Sequence, residues 1–303
     1  MSAVLKNPKN TKSAKSANGG MTGRIALVTG GAGGIGREIC RGFIERGIIC
    51  VLADRDQDAL DRATAELGPA AVGVAVDLTD FNKLPTLLAF VQERYGRLDI
   101  LVNNAAITGT GHFEERSVDS ILGELNINLL SPVVLTRLAF AALQRSGDGR
   151  VINTVSLGGI FPLPETGVYS ATKFGLRGAM LCLGMDQERH GVHVGSVLPS
   201  ATETPMLMRE AIEGGNTLQF MDPPQQPADV ARQVMRMLDS PCLERYPRVS
   251  ESWTVRLAML APNILPRLVP LFRKKGVRGH ARYLESLRRR GLAVFRGGKW
   301  ELT

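Results

Sequence analysis

Cysteine is scarce: the four in 303 residues, Cys40, Cys50, Cys182 and Cys242, form no CxxC pair. That excludes a small disulfide scaffold and a thiolate metal centre, and it fits a reducing compartment, so no metal site is expected. Uncharged apolar runs are short as well, and none approaches the roughly 18 residues of a membrane span. The opening stretch MSAVLKNPKNTKSAKSANGG lacks the apolar core of a secretory signal, and a disordered basic arm is expected over residues 1–23. Acidic residues are missing from 1–24, where Lys6, Lys9, Lys12, Lys15 and Arg24 stand unopposed. Residues 240–303 are almost as one-sided, with 14 basic against 4 acidic side chains, which leaves 18 basic against 25 acidic in between. The formal net charge of +8 therefore belongs to two ends fixed to an acidic body. A basic nucleic-acid-binding body is excluded, and no nucleic-acid partner is expected.

What the sequence does have, from Arg24 onward, is alternation. Short apolar runs (IALVTG, IICVLAD, AAVGVAVD, DILVNN, RVINTVS, VHVGSVLP) are separated by amphipathic stretches such as GIGREICRGFIERG and QDALDRATAEL. A long helical stretch is expected from about 117 to 144, and another from 167 to 190. The six runs are continuous in Val, Ile, Leu and Ala, as strands covered on both faces must be, and the intervening helices permit parallel connections. The spacing predicts an α/β fold: one doubly wound, Rossmann-type parallel sheet over residues 24–250, with an extra helical C-terminal tail over 251–303. CLERYPRVS is a candidate final strand. Residues 200–226 interrupt the alternation, and their length marks a binding loop or lid.

The first strand runs into Thr29-Gly30-Gly31-Ala32-Gly33-Gly34-Ile35-Gly36 and then a helix. Glycines there let backbone approach a pyrophosphate, which the helix N-terminus can hold. Gly30, Gly33, Gly34, Ile35 and Gly36 are the candidate cofactor-binding residues. Asp54 ends the second strand, where a carboxylate binds the ribose hydroxyls of NAD and repels a 2′-phosphate. Arg55 follows it and can pair with such a phosphate, so NAD is favoured and NADP stays open. Asp77 closes the third strand beside Leu78, placed to reach the adenine, with a helix cap through Thr79 or Asp80 as its competing role. Tyr169 and Lys173 are four residues apart in a helical stretch and share a face. An ammonium beside a phenol favours the phenolate and brings its pKa towards working range. Ser156 ends a strand 13 residues earlier, at the sheet edge where ligands of such folds bind.

Together these residues resemble the short-chain dehydrogenase/reductases of the TGxxxGxG branch. The matches are Thr29-Gly30 with Gly34 and Gly36, Asn103-Asn104-Ala105, Asn128 in NINLL, Ser156, and Tyr169-Ser-Ala-Thr-Lys173, over about residues 24–240. The resemblance implies that Tyr169 exchanges a proton with the substrate oxygen as hydride moves to or from nicotinamide C4. It makes Lys173 the group that lowers the Tyr169 pKa and holds the nicotinamide ribose, and Ser156 the group that binds the substrate oxygen. Asn128 would anchor a water leading to Lys173, or satisfy backbone from inside its helix. Asn103, Asn104 and Ala105 would line the cofactor cleft, with Pro199 and Thr204 near the nicotinamide. Ala106 and Ser200 stand where the family usually has glycine, which leaves the loop after Pro199 open.

The tail distinguishes this chain. Trp253 to Phe272 carries two charges and three prolines, too broken for one spanning helix and suited to short amphipathic segments. It can cover the substrate cleft, form a subunit contact, or lie on a membrane with Arg273, Lys274 and Lys275 at the headgroups. The tail resembles those of family members acting on retinoids and steroids. With Met206, Leu207, Met208, Phe220 and Met221 in the lid, it points to a lipophilic alcohol or ketone (steroid-, retinoid- or fatty-acyl-like). The expectation is a cytoplasmic oxidoreductase, with membrane association left open, forming homodimers or homotetramers through its long helices. The alternatives are a lyase or epimerase of related fold, which the TGxxxGxG spacing disfavours, and a non-catalytic dinucleotide sensor, which the full Asn-Ser-Tyr-Lys set disfavours.

Overall fold

The computed structural model describes residues 20–303. The expected basic arm falls on residues 1–19, outside them, except for a turn at 20–23. The first strand, β1 (Ile25–Thr29), is buried along its whole length, because helices cover both of its faces. Then come α1 (Gly34–Ile44), β2 (Ile49–Asp54), α2 (Gln57–Leu67), β3 (Ala71–Ala75), α3 (Lys83–Tyr95) and β4 (Ile100–Asn103). The second half holds α4 (Val118–Leu125), a π turn at Asn126–Leu130, α5 (Ser131–Arg145) and β5 (Arg150–Thr154). It continues through α6 (Gly167–Met185), α7 (Gln187–His190), β6 (His193–Val197), α8 (Pro205–Glu213), α9 (Pro227–Asp239) and β7 (Glu244–Arg245).

All seven strands are parallel, in the order β3-β2-β1-β4-β5-β6-β7. The order reverses between β1 and β4, and a crevice opens at the carboxyl ends of strands where that happens. One apolar layer includes Leu27, Leu101, Leu135 and Leu176, and the layer on the other face includes Val28, Leu52, Phe43 and Val234. The expected doubly wound sheet is present, with CLERYPRVS supplying the seventh strand. Cys40 and Cys50, ten residues apart in the chain, meet as buried free thiols between α1 and β2, and burial raises the Cys50 thiol well above its usual value.

The tail differs from its sequence reading. It forms α10 (Val249–Ala258), a tight turn at Pro262–Ile264, the 25-residue α11 (Leu265–Arg289) and a hairpin of β8 (Ala293–Arg296) with β9 (Lys299–Leu302). Pro262 falls in the turn that separates α10 from α11, whereas Pro266 sits in the first turn of α11, where a missing N–H costs nothing. Only Pro270 lies inside the helix. The hairpin turns on Gly297 and Gly298, both at positive φ, the geometry of a two-residue primed turn.

The end of α11 packs on the lid. Tyr283, Leu284, Leu287 and Ala293 form one cluster with Leu207, Ala211 and Phe220. Glu203 accepts from the Tyr283 hydroxyl at 3.1 Å and from Arg290 at 2.9 Å. Leu207 and Phe220, read from the sequence as an apolar lid over substrate, thus have their side chains engaged in holding the tail. One helix among the described residues, Val118–Arg145, is long and apolar enough to cross a membrane, with mean hydropathy 1.4; it is the long helix that packs on this sheet.

Candidate active site

β1 delivers Thr29 to the carboxyl edge of the sheet. The Thr29 hydroxyl donates to the Val102 carbonyl at 3.3 Å and accepts from the N–H groups of Asn104 and Ala105 at 3.0 and 3.1 Å. Asn104 Nδ2 donates in turn to the carbonyls of Thr29 and Gly30 at 3.1 and 3.2 Å. Gly30 has φ of 60°, and a Cβ there would press on Ala105 Cα at 2.9 Å. At Gly36 a Cβ would run into the Gly30 carbonyl. The turn is therefore closed by its neighbours and opens into α1, whose N-cap Gly33 brings no side-chain cap and whose first turn has no acid. The first N–H groups of the helix, those of Gly34, Ile35 and Gly36, are left for an anion.

Asn104 thus acts as a brace for this turn, and Ala105 packs against it. Asn103 lies deeper: its Nδ2 donates to Thr136 Oγ1 at 3.0 Å and Asn153 Oδ1 at 2.9 Å. Its side chain ties strands together inside the sheet instead of lining the cleft. The end of β2 adjoins the turn, since the Gly30 N–H donates to the Ala53 carbonyl at 2.8 Å. Asp54 Oδ1 accepts the Arg55 backbone N–H at 2.8 Å, and the Arg55 side chain is exposed. Asp77 lies two residues past the end of β3, and its Oδ1 accepts from the Thr79 N–H and hydroxyl at 2.9 and 2.7 Å. Those bonds hold the Asp77 carboxyl below its ordinary range. The Leu78 side chain is buried in the core, so only its backbone faces the crevice edge.

β5 ends two residues before Ser156, and α6 carries Tyr169 and Lys173 one turn apart. The Ser156 hydroxyl accepts from the Gly158 N–H at 2.9 Å; it and the Tyr169 ring both border Gly158, and Ser156 biases Tyr169 towards the phenolate. Burial acts the other way and pushes Tyr169 well above its ordinary value. Lys173 is 2% exposed; its Nζ donates to the Thr154 carbonyl at 3.1 Å and lies 5.6 Å from the Tyr169 ring centroid. Burial depresses Lys173 to about 8. The ammonium sits over the Tyr169 ring. Asn128 occupies the π turn, a feature often found at functional sites. Its Oδ1 accepts the Ile107 N–H at 2.9 Å, and its Nδ2 donates to the Ile107 carbonyl at 2.8 Å and to Thr172 Oγ1 at 3.3 Å. Asn128 thus clamps the loop after β4 to α6.

The loop from Pro199 to Thr204 joins the two halves of the crevice. The Pro199 carbonyl accepts from the Leu157 N–H at 2.8 Å, beside Ser156. At the other end Thr204 caps α8 through the Leu207 N–H at 3.3 Å, and a Cβ on Gly34 would touch Thr204 Cγ2 at 3.4 Å. The open helix N-terminus, the Asp54 carboxylate at the end of β2 with Oδ2 unpartnered among the described residues, and the Ser200 and Thr154 hydroxyls, buried without partners, are compatible with a nicotinamide dinucleotide lying along this edge. No group of three or more metal-ligating side chains occurs among the described residues.

One pair escapes the sequence reading. Arg116 and Glu124 form a buried ion pair of 2.6 Å beside this site. The available signal is a lone charge in the otherwise uncharged stretch ILGELNINLL, one helical turn before Asn128.

Comparison with known proteins agrees with the geometry. The model of the short chain dehydrogenase family matches residues 24–213. An acetoacetyl-CoA reductase of Acinetobacter is 33% identical over 226 residues, covering 71% of this chain and 90% of that protein. An L-fucose dehydrogenase of Bos taurus is 36% identical over 185 residues, covering 61% and 68%. Among solved structures, a 3-ketoacyl-(acyl-carrier-protein) reductase from Brucella melitensis complexed with NADH superposes with TM-score 0.64 at 25% identity, over 72% of this chain and 91% of that one.

Proposed function

The chain belongs to the short-chain dehydrogenase family, and on that premise we propose that it interconverts a secondary alcohol and a ketone by hydride transfer with NAD(P). The observation that carries this reading is the meeting of Ser156, Tyr169 and Lys173 at the same sheet edge as the glycine turn, joined to it by the loop 199–204. A bound nicotinamide dinucleotide supplies the hydride donor or acceptor. The first N–H groups of α1 hold its pyrophosphate, Asp54 takes the adenosine ribose, and Thr204 with Pro199 borders the nicotinamide end. Ser156 donates to the substrate oxygen and steadies developing negative charge. Tyr169 gives its proton to that oxygen during reduction and takes one from it during oxidation. Lys173 would hold the nicotinamide ribose and, as an ammonium near Tyr169, would favour the phenolate.

Asp54, with an exposed Arg55 as the competing group, favours NAD over NADP. The lipophilic substrate rests on Met206 and Met221, half-buried in the lid, while the named relatives keep a sugar such as L-fucose and an acetoacetyl thioester as competitors. A thermal-shift screen with NAD and NADP, followed by nicotinamide absorbance on these three substrate groups, tests the reading. Stabilisation by NAD and turnover of a lipophilic alcohol support it. Binding without turnover of any group speaks for a sensor, and product without net cofactor change for a lyase or epimerase.

Two surfaces fit partners. Val118, Leu122, Leu130 and Leu138 on the long helix and Phe174 on α6 are exposed, and we assign them to a second copy of the chain, with sedimentation of Leu122→Glu as monomer the expected result. Trp253, Leu257, Leu260 and Leu271 are exposed on the tail, Leu260 at 80%, among exposed Arg267, Arg273, Lys274 and Arg278. Two copies meeting there would oppose cation to cation, whereas an anionic bilayer complements both features. Flotation with phosphatidylserine vesicles at low salt is expected, and a chain that stays in the soluble fraction would exclude it.

A further inference from the structure

Hydride transfer needs the nicotinamide held at the Ser156 end of the crevice, and the loop 199–204 runs along that half. Its first residue meets the Ser156 segment, where the Leu157 N–H donates to the Pro199 carbonyl at 2.8 Å. Its last meets the glycine turn, since a Cβ on Gly34 would lie 3.4 Å from Thr204 Cγ2. A connection without regular structure is only as rigid as the contacts that anchor it. We propose that Gln225 is the residue that fixes this loop, and so a positioning residue for the nicotinamide half of the dinucleotide.

Gln225 is 1% exposed and meets the loop with both backbone and side chain. Its N–H donates to the Ala201 carbonyl and its carbonyl accepts the Glu203 N–H, both at 2.9 Å, in a short parallel bridge with Thr202. The side-chain amide then gives one N–H to the Ser200 carbonyl and one to Thr202 Oγ1, each at 3.1 Å. The Thr202 hydroxyl spends its own proton on the Ser200 carbonyl at 2.9 Å. Both atoms that face the amide are therefore acceptors, and a reversed amide would set oxygen against oxygen. Thr204 joins the same network by donating to the Thr202 carbonyl at 3.2 Å. Many residues at 225 could make the backbone bonds; the two side-chain bonds need an amide of this length.

Gln225 is itself anchored. The N–H of Gln226 donates to Asp229 at 3.0 Å and caps α9, whose Val230 and Val234 lie in the core layer with Val28 and Leu52. Pro227 reaches the glycine turn as well, with its Cγ 3.8 Å from a Cβ on Gly34. The loop is thus referenced to the sheet that carries the pyrophosphate turn, and the side chain of Gln225 links the two. Stability alone does not account for the amide. Its Oε1 is buried with no partner among the described residues, as is the Ser200 hydroxyl, and a buried acceptor without a donor costs free energy that an apolar residue would avoid.

This inference rests on the chain binding a nicotinamide dinucleotide, and its test reads binding without turnover. Calorimetry on the full chain compares NAD with ADP-ribose, which keeps the pyrophosphate and adenosine and lacks the nicotinamide. Gln225→Met keeps the bulk and removes the amide. It is expected to weaken NAD about tenfold and to leave ADP-ribose within about twofold of the unaltered chain. Thr202→Val keeps the shape, removes one partner of the amide, and guards against misfolding of the first variant; a smaller loss, again confined to NAD, is expected there. Equal weakening of both ligands, or of neither, in a folded variant overturns the proposal and leaves the hydride-transfer reading standing. Failure of that reading would show separately, in an unaltered chain that binds neither NAD nor NADP, and would overturn both.

Discussion

The cofactor side and the substrate side of the crevice are held in different ways. On the cofactor side, Thr29 and Asn104 close the glycine turn with hydrogen bonds between adjacent strands. On the substrate side, the lid depends on residues far along the chain: Glu203 meets Tyr283 and Arg290, 80 and 87 positions away, and Phe220 lies under α11. The first half is rigid wherever the sheet exists. The second is held in part by the docked tail, and elements that depend on few such contacts open most easily.

The largest expected effect lies where the halves meet. Tyr169→Phe is expected to lower turnover by about 10²- to 10⁴-fold while leaving the NAD-induced rise in melting temperature intact, since the two sides are built separately. Leu287→Ala, at a fully buried tail position, is expected to cost about 2–5 kcal/mol. Hydrogen exchange should then rise across 205–220 and stay unchanged at the glycine turn; equal loss in both places would break the comparison. Asp54→Asn is expected to reduce NAD-over-NADP preference by about tenfold, roughly 1.4 kcal/mol, with no effect on lid exchange. Glu203→Gln weakens a partly exposed tail contact and should cost at most about 1 kcal/mol, read from denaturant midpoints.

A pH effect sharpens the same contrast. Lys173 is depressed to about 8 from an ordinary 10.5, so between those values the unfolded chain binds more protons than the folded one. Stability is therefore expected to rise with pH across that window, and Lys173→Met should flatten the rise.

What the sequence disclosed follows the same division. The glycine turn, Ser156 and the Tyr169–Lys173 pair were legible because each is a local arrangement repeated along one sheet edge. The packing of Leu207 and Phe220 against the tail was not legible, because the residues they cluster with, Leu284 and Leu287, lie far along the chain in a helix that the prolines obscure. The hairpin had its signal in Gly297-Gly298, between short runs that alternate apolar and polar residues. Arg116 and Glu124 had almost none, since the meaning of an ion pair eight residues apart depends on burial, which only the packing of α4 on α6 supplies. The spacing puts Lys173 on the same helix face as Tyr169, but its position over the Tyr169 ring depends on the rotamer.

The central claim is direct hydride transfer at the Ser156–Tyr169–Lys173 edge. It is tested most directly with a secondary alcohol deuterated at its carbinol carbon, taken from the turnover panel and incubated with oxidised cofactor. The account predicts that the deuterium appears at C4 of the reduced nicotinamide, on one face only, and that Tyr169→Phe suppresses its arrival. Deuterium retained in the product or lost to water, with the cofactor unlabelled, would contradict it.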